Sequence, residues 1–250
     1  MIKFSRIVLF FSVFLLSLSS YSEAKSDEWE FTIAPYLFAL SLEGDVATVP
    51  GSSPAGIDVP FDDLLENLDG AIMGQFEARK GKFAIVADTY YSQISTDSGT
   101  PGSFHSGLDY EMDLFYMTLG GSYRVIEDET IKLDLIAGVR FTYLDNQLTL
   151  EPGIRPESKL NDTEEWIDPF ISAKINLAVN ESLYFTGWAA AAVGGDSEST
   201  YDFFAGLGYH LGDGYSIVGG YRHMMIDYEK GDFLFDVEVS GPMLGLVIRF

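Results

Sequence analysis

Between residues 131 and 147, apolar side chains recur at every second position: Leu133, Leu135, Ala137, Val139, Phe141 and Tyr143 alternate with Asp134, Ile136, Gly138, Arg140 and Thr142. A period of two belongs to a β-strand with unlike faces, whereas a helix brings its apolar residues round every three to four. The pattern returns in 163–178, where Ile167, Pro169, Ile171, Ala173, Ile175 and Leu177 oppose Asp168, Phe170, Ser172, Lys174 and Asn176. It recurs in 70–80, where Ile72, Gly74, Phe76 and Ala78 oppose Met73, Gln75, Glu77 and Arg79. Turn residues bound ten segments of this kind, over 29–43, 70–80, 82–95, 107–125, 131–147, 163–178, 182–195, 198–212, 214–228 and 232–250. The expected fold class is all-β: an antiparallel up-and-down transmembrane β-barrel of about ten strands, with eight or twelve as alternatives.

The first residues follow a different rule. Lys3 and Arg6 precede an apolar run from Ile7 to Leu18, and Ser22-Glu23-Ala24 places small residues before a cleavage point. This predicts a cleaved secretory signal peptide over 1–24 and one barrel domain over 25–250. The apolar run is shorter than the roughly 20 residues of a membrane-spanning helix, and no later stretch is long and apolar enough to be one. Loss of Lys3, Arg6 and Glu23 leaves 13 of the 15 basic and 37 of the 38 acidic residues, a net charge of −24. Such a chain is not expected to bind nucleic acid. With no cysteine it has no disulfide framework, no thiolate metal site and no lipid-bearing cysteine. His105, His210 and His223 are too scattered to form a metal site, and no cofactor is expected.

Alternation alone fits a soluble barrel equally well, because both kinds alternate faces along every strand. Three features select lipid. The signal peptide with no cysteine is usual for exported bacterial barrels. Leu244, Leu246, Ile248 and Phe250 alternate up to a terminal phenylalanine, which resembles the segment that the outer-membrane barrel assembly machinery reads in its clients. Aromatic residues collect near strand ends, among them Trp29, Phe31, Tyr90, Tyr91, Tyr110, Tyr116, Tyr143, Trp166, Tyr201 and Tyr209. The outward ones would form interfacial girdles. Short connections at Gly81, Ile126–Thr130, Asn180-Glu181 and Gly212-Asp213 alternate with longer ones at Gly44–Asp69, Thr96–Ser106 and Gln147–Asp162. Asp196-Ser197 and Glu229-Lys230-Gly231 are shorter members of the second set. One rim of hairpins and one of mostly longer loops is the membrane-barrel arrangement. Within the first long loop, Phe61–Leu68 has a capping aspartate before a short apolar repeat, which predicts one or two helical turns or, alternatively, a solvated acidic loop.

Several segments resemble a family of proteobacterial outer-membrane barrel proteins that mostly carry no assigned function. They are APYLFALSLEGDV (34–46), IDVPFDDLLENLD (57–69), ARKGKF (78–83), AGVRF (137–141), WIDPF (166–170), GLGYHL (206–211), GYRHMMIDYEKGDF (220–233) and SGPMLGLVIRF (240–250). The resemblance implies a barrel and an outer-membrane address, with no catalytic residue to carry over. His210 and His223 stand where the family is expected to have arginine and an aromatic residue.

If the mixed face encloses the lumen, it gathers Glu77, Arg79, Asp88, Asp134, Arg140, Asp168, Lys174, His210, Arg222 and Arg249. In a narrow barrel these charges are expected to pair and fill the space, fixing strand register, or to line a narrow passage that selects small solutes. Asp109, Glu111 and Asp113 alternate near the outer end of the fourth strand, where crowded carboxylates could raise one another's pKa or hold a divalent cation. Ten-stranded outer-membrane proteases use acidic pairs and an Asp-His pair at that rim, but Asp227 lacks a histidine two residues on. A lipid-modifying site would need a histidine with a serine or aspartate at the membrane edge, such as His223 with Ser240 or Asp227. The leading expectation is an integral barrel with a structural or passive-diffusion role. Its partners would be outer-membrane lipid and lipopolysaccharide, and the alternatives are a rim enzyme or an adhesive surface made by the long loops.

Overall fold

The computed structural model describes residues 28–48, 53–98 and 104–250, so the expected signal peptide lies outside the described residues. Twelve strands follow one another: β1 (Trp29–Phe38), β2 (Ser41–Ala47), β3 (Ala55–Val59), β4 (Leu68–Lys80), β5 (Phe83–Ser98) and β6 (His105–Glu127), then β7 (Ile131–Pro152), β8 (Ser158–Ala178), β9 (Leu183–Ala192), β10 (Ser199–Gly212), β11 (Tyr215–Lys230) and β12 (Phe233–Arg249). A short helix, α1 (Phe61–Glu66), lies between β3 and β4. Neighbours pair in the order β1-β4-β5-β6-β7-β8-β9-β10-β11-β12, and β12 also pairs with β1. The result is a closed antiparallel barrel of ten staves. Closure leaves no unpaired edge at the height of the ring, which lipid would not tolerate.

The expected first strand, 29–43, is broken. β1 pairs with the last residues of β12, Met243 to Arg249, while β2 pairs with Leu234 to Ser240 higher on the same strand. Between them the Ala39 N–H donates to the Pro242 carbonyl at 2.9 Å. This approach is possible because Gly241 has no side chain, since a Cβ there would fall 2.0 Å from the Ala39 carbonyl oxygen. β3 then adds to β2. The expected loop 44–69 is therefore a hairpin and a helix. Pro60, not an aspartate, occupies the N-cap position of α1 without a side-chain cap, and Asp62 and Asp63 sit in its first turn, where the helix dipole favours negative charge.

One rim consists of tight connections, and we call it the turn end. At Gly81, with φ 56°, the chain reverses in a two-residue hairpin whose first position demands a left-handed backbone. The opposite, tall end is uneven. β9 and β10 stop at Ala192 and Ser199, while β8 runs back to Ser158, β7 to Pro152 and β6 to His105. The expected loops 96–106 and 147–162 are thereby shortened, and most of 147–162 is strand.

The wall changes character along its length. On β7 the outward residues from Leu133 to Tyr143 are apolar, and Leu135 is half exposed, as are Ile171 on β8 and Leu207 on β10. This belt matches the ~9–11 residues with which a tilted strand crosses a bilayer. Above Tyr143 the alternation inverts. Asp145 and Gln147 face out while Leu144, fully buried, faces in. The inversion recurs on β6, where Asp109, Glu111 and Asp113 face out and Met112 and Leu114 pack inside. On β11 and β12, Asp227, Asp236 and Glu238 face out, and Ile226, Tyr228, Phe235 and Val237 are buried. Lipid rewards an apolar exterior and water a polar one, so the same strands serve both solvents by exchanging faces.

Above the belt the wall flattens, and the sheet β4–β8 presses against the sheet β11-β12-β2-β3. The Trp166 ring on β8 stacks on Tyr228 of β11 with centroids 4.2 Å apart and meets Phe235 of β12 at 6.2 Å. This is the packing of a β-sandwich, in which inner faces interdigitate.

Candidate functional site in the lumen

Inward side chains divide the lumen into three levels. The lowest, nearest the turn end, is a charge cluster on β4, β6, β7 and β8. Arg79 Nε donates to Glu77 Oε1 at 2.7 Å, and Lys174 Nζ lies 3.7 Å from Glu77 Oε2. Arg124 grips Asp134 with Nε and Nη2 at 3.0 and 3.2 Å and donates from Nη1 to Glu127 at 3.0 Å. Arg79 Nη2 is 3.1 Å from Asp134 but off the line of a hydrogen bond, and Arg79 Nη1 has no partner. A cavity of about 430 Å³ lies beside this cluster. It reaches the turn-end residues Asp128, Glu129 and Thr130 and ends upward at Tyr36, Arg140 and Asp202.

At the middle level Arg222, on β11, is completely buried. Its Nε and Nη2 take both oxygens of Asp202 at 3.0 and 2.7 Å, Nη2 also reaches Asp88 at 3.0 Å, and Nη1 donates to the Tyr36 hydroxyl at 3.1 Å. Tyr36 donates to Asp88 at 2.9 Å. Asp202 further accepts from Arg140 Nη2 at 2.8 Å and from Trp188 Nε1 at 3.1 Å. Faces of Trp188 and Phe38 stand 5.5 and 5.7 Å from the Arg222 guanidinium carbon. A buried cation needs this degree of satisfaction, because an unpaired charge there would be strongly destabilising. The cluster ties β1, β5, β7, β9, β10 and β11 together. The uppermost level is apolar: Leu144, Trp166, Tyr228, Phe235 and Val237 are each at most 2% exposed.

The lumen residues expected from the sequence are distributed over these levels. Glu77, Arg79, Asp134 and Lys174 meet in the lower cluster, and Asp88, Arg140 and Arg222 in the middle one. Asp168 instead accepts hydrogen bonds from the Ser197 N–H and hydroxyl at 2.9 and 2.7 Å and so fastens the β9–β10 connection. Arg249 is exposed at the turn-end rim, where the cavity begins. His210 shares a hydrogen bond with Ser216 at 2.9 Å and stacks on Tyr184. The charges thus form two clusters instead of one ring. Sequence reasoning missed Asp202 and Arg124, which complete both clusters. The signal was present: Asp202 lies eight residues before His210 and shares its face.

Outside the barrel, Leu244, Leu246 and Ile248 belong to the belt, and Phe250 stacks on Phe31 with centroids 5.9 Å apart. Trp29, Phe31, Tyr91, Tyr143, Tyr201 and Tyr209 also face outward, whereas Tyr90, Tyr110, Tyr116 and Trp166 face the lumen. Asp113, above the belt, has its carboxyl held above the ordinary range by burial and by the neighbouring Asp145 and Glu111. The Asp227 carboxyl is raised by burial and by Asp236, Glu198 and Glu229. In the β6–β7 turn, Asp128 accepts the N–H groups of Ile131 and Thr130, which lowers its pKa. His223 and Ser240 are cross-strand partners on the outer wall, and Ser240 accepts a hydrogen bond from Tyr221 at 3.1 Å. Among the described residues no hydrogen bond joins His223 to Ser240, and no group of acidic or histidine side chains is arranged to hold a metal ion.

No family model and no curated protein matches the chain. Solved structures do. The outer membrane protease OmpT from Escherichia coli superimposes with a TM-score of 0.59 over 92% of this chain and 99% of that one, at 9% identity. The transport unit of the autotransporter AIDA-I from Escherichia coli matches at a TM-score of 0.42 and 9% identity, covering 98% and 95%. The chain has the outer-membrane β-barrel fold, and at these identities the likeness is one of fold.

Proposed function

We propose that the protein is an electrically silent outer-membrane barrel that holds a rigid, acid-rich β-sandwich in the water beyond the outer leaflet. The inversion of the alternation above Tyr143 carries this reading, since it divides each long strand into a lipid-facing and a water-facing length. The turn end then faces the periplasm, and the cavity is a polar vestibule open to that side. The buried Arg222 cluster and the stacked rings above it oppose a continuous passage, so the reading favours a structural role over passive diffusion. It assigns no catalytic step. The outward carboxylates would meet lipopolysaccharide through bridging divalent cations, and the segment ending in Leu244, Leu246, Ile248 and Phe250 would be read by the assembly machinery after removal of residues 1–24.

Reconstitution into a planar bilayer tests the reading. The expected record is flat at both polarities, and stepwise conductance of the unaltered chain would refute it. Because the chain has no cysteine, Glu238→Cys and Leu246→Cys each create one reactive site. A membrane-impermeant maleimide should label the first on intact cells and leave the second unlabelled.

A further inference from the structure

The flattening of the wall leaves β8 with a free side. Its pairing with β9 ends at Phe170 opposite Ala192, yet β8 continues to Ser158 in register with β7 and without a bulge. The direction of its backbone groups can be read from the last contacts on the β9 side. Val193 N–H donates to the Pro169 carbonyl at 2.9 Å, Asp196 N–H donates to the Ile167 carbonyl at 3.2 Å, and Ile167 N–H donates to Asp196 Oδ2 at 2.9 Å. Residues 167 and 169 therefore point away from β7. With a period of two, Glu165, Thr163, Asn161 and Lys159 present their N–H and C=O groups the same way, into water.

Proteins blunt such edges with proline, bulges, brevity or a covering segment. Among the described residues the sandwich has further edges, on β3, which is only five residues long, and on β4, where Leu68 to Met73 extend past its pairing with β1. Between Ser158 and Glu165 the β8 edge has no proline and no bulge, and its deterrent is charge, carried by Lys159, Asp162, Glu164 and Glu165. Its surroundings are acidic: Asp162, Glu164 and Glu165 lie on the strand, and Asp196 and Glu198 lie in the adjoining connection. The nearby Lys230 is already engaged by Glu164 at 2.7 Å.

We propose that the free edge of β8, from Lys159 to Glu165, is a docking edge for an extended basic peptide, which adds a strand to the tall sheet. Main-chain hydrogen bonds from alternate residues would supply the attachment, and the carboxylates would select the charge. The inference rests on the reading that the tall end stands in water outside the cell.

The probe is a fluorescent octapeptide of alternating lysine and valine, titrated into the detergent-solubilised full chain. Saturable binding is expected, with none for a glutamate–valine octapeptide. Asn161→Pro removes one outward N–H and leaves the β7 ladder and all charges intact, and it should weaken binding by about tenfold or more, while Asn161→Ala should not. Equal binding by N161P would mean that charge alone attracts the peptide and would overturn the proposal. Should N161P fail to fold, hydrogen exchange on the unaltered chain decides. Saturating peptide should protect the amides of Asn161, Thr163 and Glu165, and unchanged exchange there would overturn the proposal too. Self-pairing of the edge into a dimer, seen by light scattering without peptide, would also refute it. The titration needs no membrane, so a failed docking edge is distinguishable from a failed location, which the maleimide labelling reports.

Discussion

Near the turn end, ten staves surround a cavity of about 430 Å³ whose wall carries Glu77, Arg79, Arg124, Asp134 and Lys174. Near the tall end, where β9 and β10 have stopped, two sheets close on Leu144, Trp166, Tyr228 and Val237 with no comparable space between them. The strands are the same in both places. What differs is the cross-section. In the ring of ten strands facing charges still reach one another, as Lys174 of β8 reaches Glu77 of β4 at 3.7 Å, but the cross-section is wide enough to leave the cavity beside them. Two sheets at sandwich spacing bring facing side chains into contact, and apolar packing becomes possible. Arg222 sits at the junction, where its guanidinium is matched by Tyr36, Asp88 and Asp202 from three other staves because solvent no longer reaches it.

This contrast can be broken most directly at the junction. Arg222→Ala leaves Asp202 and Asp88 facing each other without their main cation, and it should cost about 3–5 kcal/mol in urea unfolding of the reconstituted barrel. A loss under about 1 kcal/mol would show that water already reaches that level. The halves should then differ when each is altered alone. Leu144→Ala removes a fully buried side chain from the sandwich and should cost about 2–3 kcal/mol. Arg124→Gln, beside the cavity, should cost less, about 1–2 kcal/mol, because the buried Asp134 keeps Arg79 at 3.1 Å and the amide can still donate to it. Equal costs would erase the distinction drawn here.

The smallest effect concerns the outer face above the belt. Asp113 has a folded-state pKa above its unfolded one, so the folded chain holds the proton more tightly. Its contribution is most favourable below the unfolded value and is lost as the pH rises through the raised folded value. Thermal unfolding in detergent should accordingly shift downward across that window, and Asp113→Asn should flatten the shift. A steeper slope in the variant would contradict the crowding.

Much of the barrel could be read from parity. Leu135, Ile171 and Leu207 are outward, Asp134 and Arg222 inward, and the turns at Gly81 and Asp213 fall where the alternation stops. The missed ends of β7 and β8 share one physical cause. Tracking the apolar face along β7 leads from Tyr143 to Leu144, a change of side that resembles the end of a strand. Residues 148–152 and 158–162 therefore read as loop, although they form the tallest part of the wall. The break at Ala39 was illegible because it depends on Gly241, two hundred positions away. The lumen clusters were half legible. Each charged residue could be assigned a side, but pairing depends on height around a tilted ring, which one strand's sequence does not encode.

From β4 to β12 every stave pairs with the one that follows it in the chain. Closure instead needs the long-range pairing of β12 with β1 and β2, and at the seam with β1 Phe31 and Phe250 exchange N–H to carbonyl bonds at 2.8 and 3.0 Å. Successive hairpins can zip from local contacts, whereas this stitch must wait for β12. A polypeptide cut short before Phe233 would remain an unrolled ribbon with two raw borders.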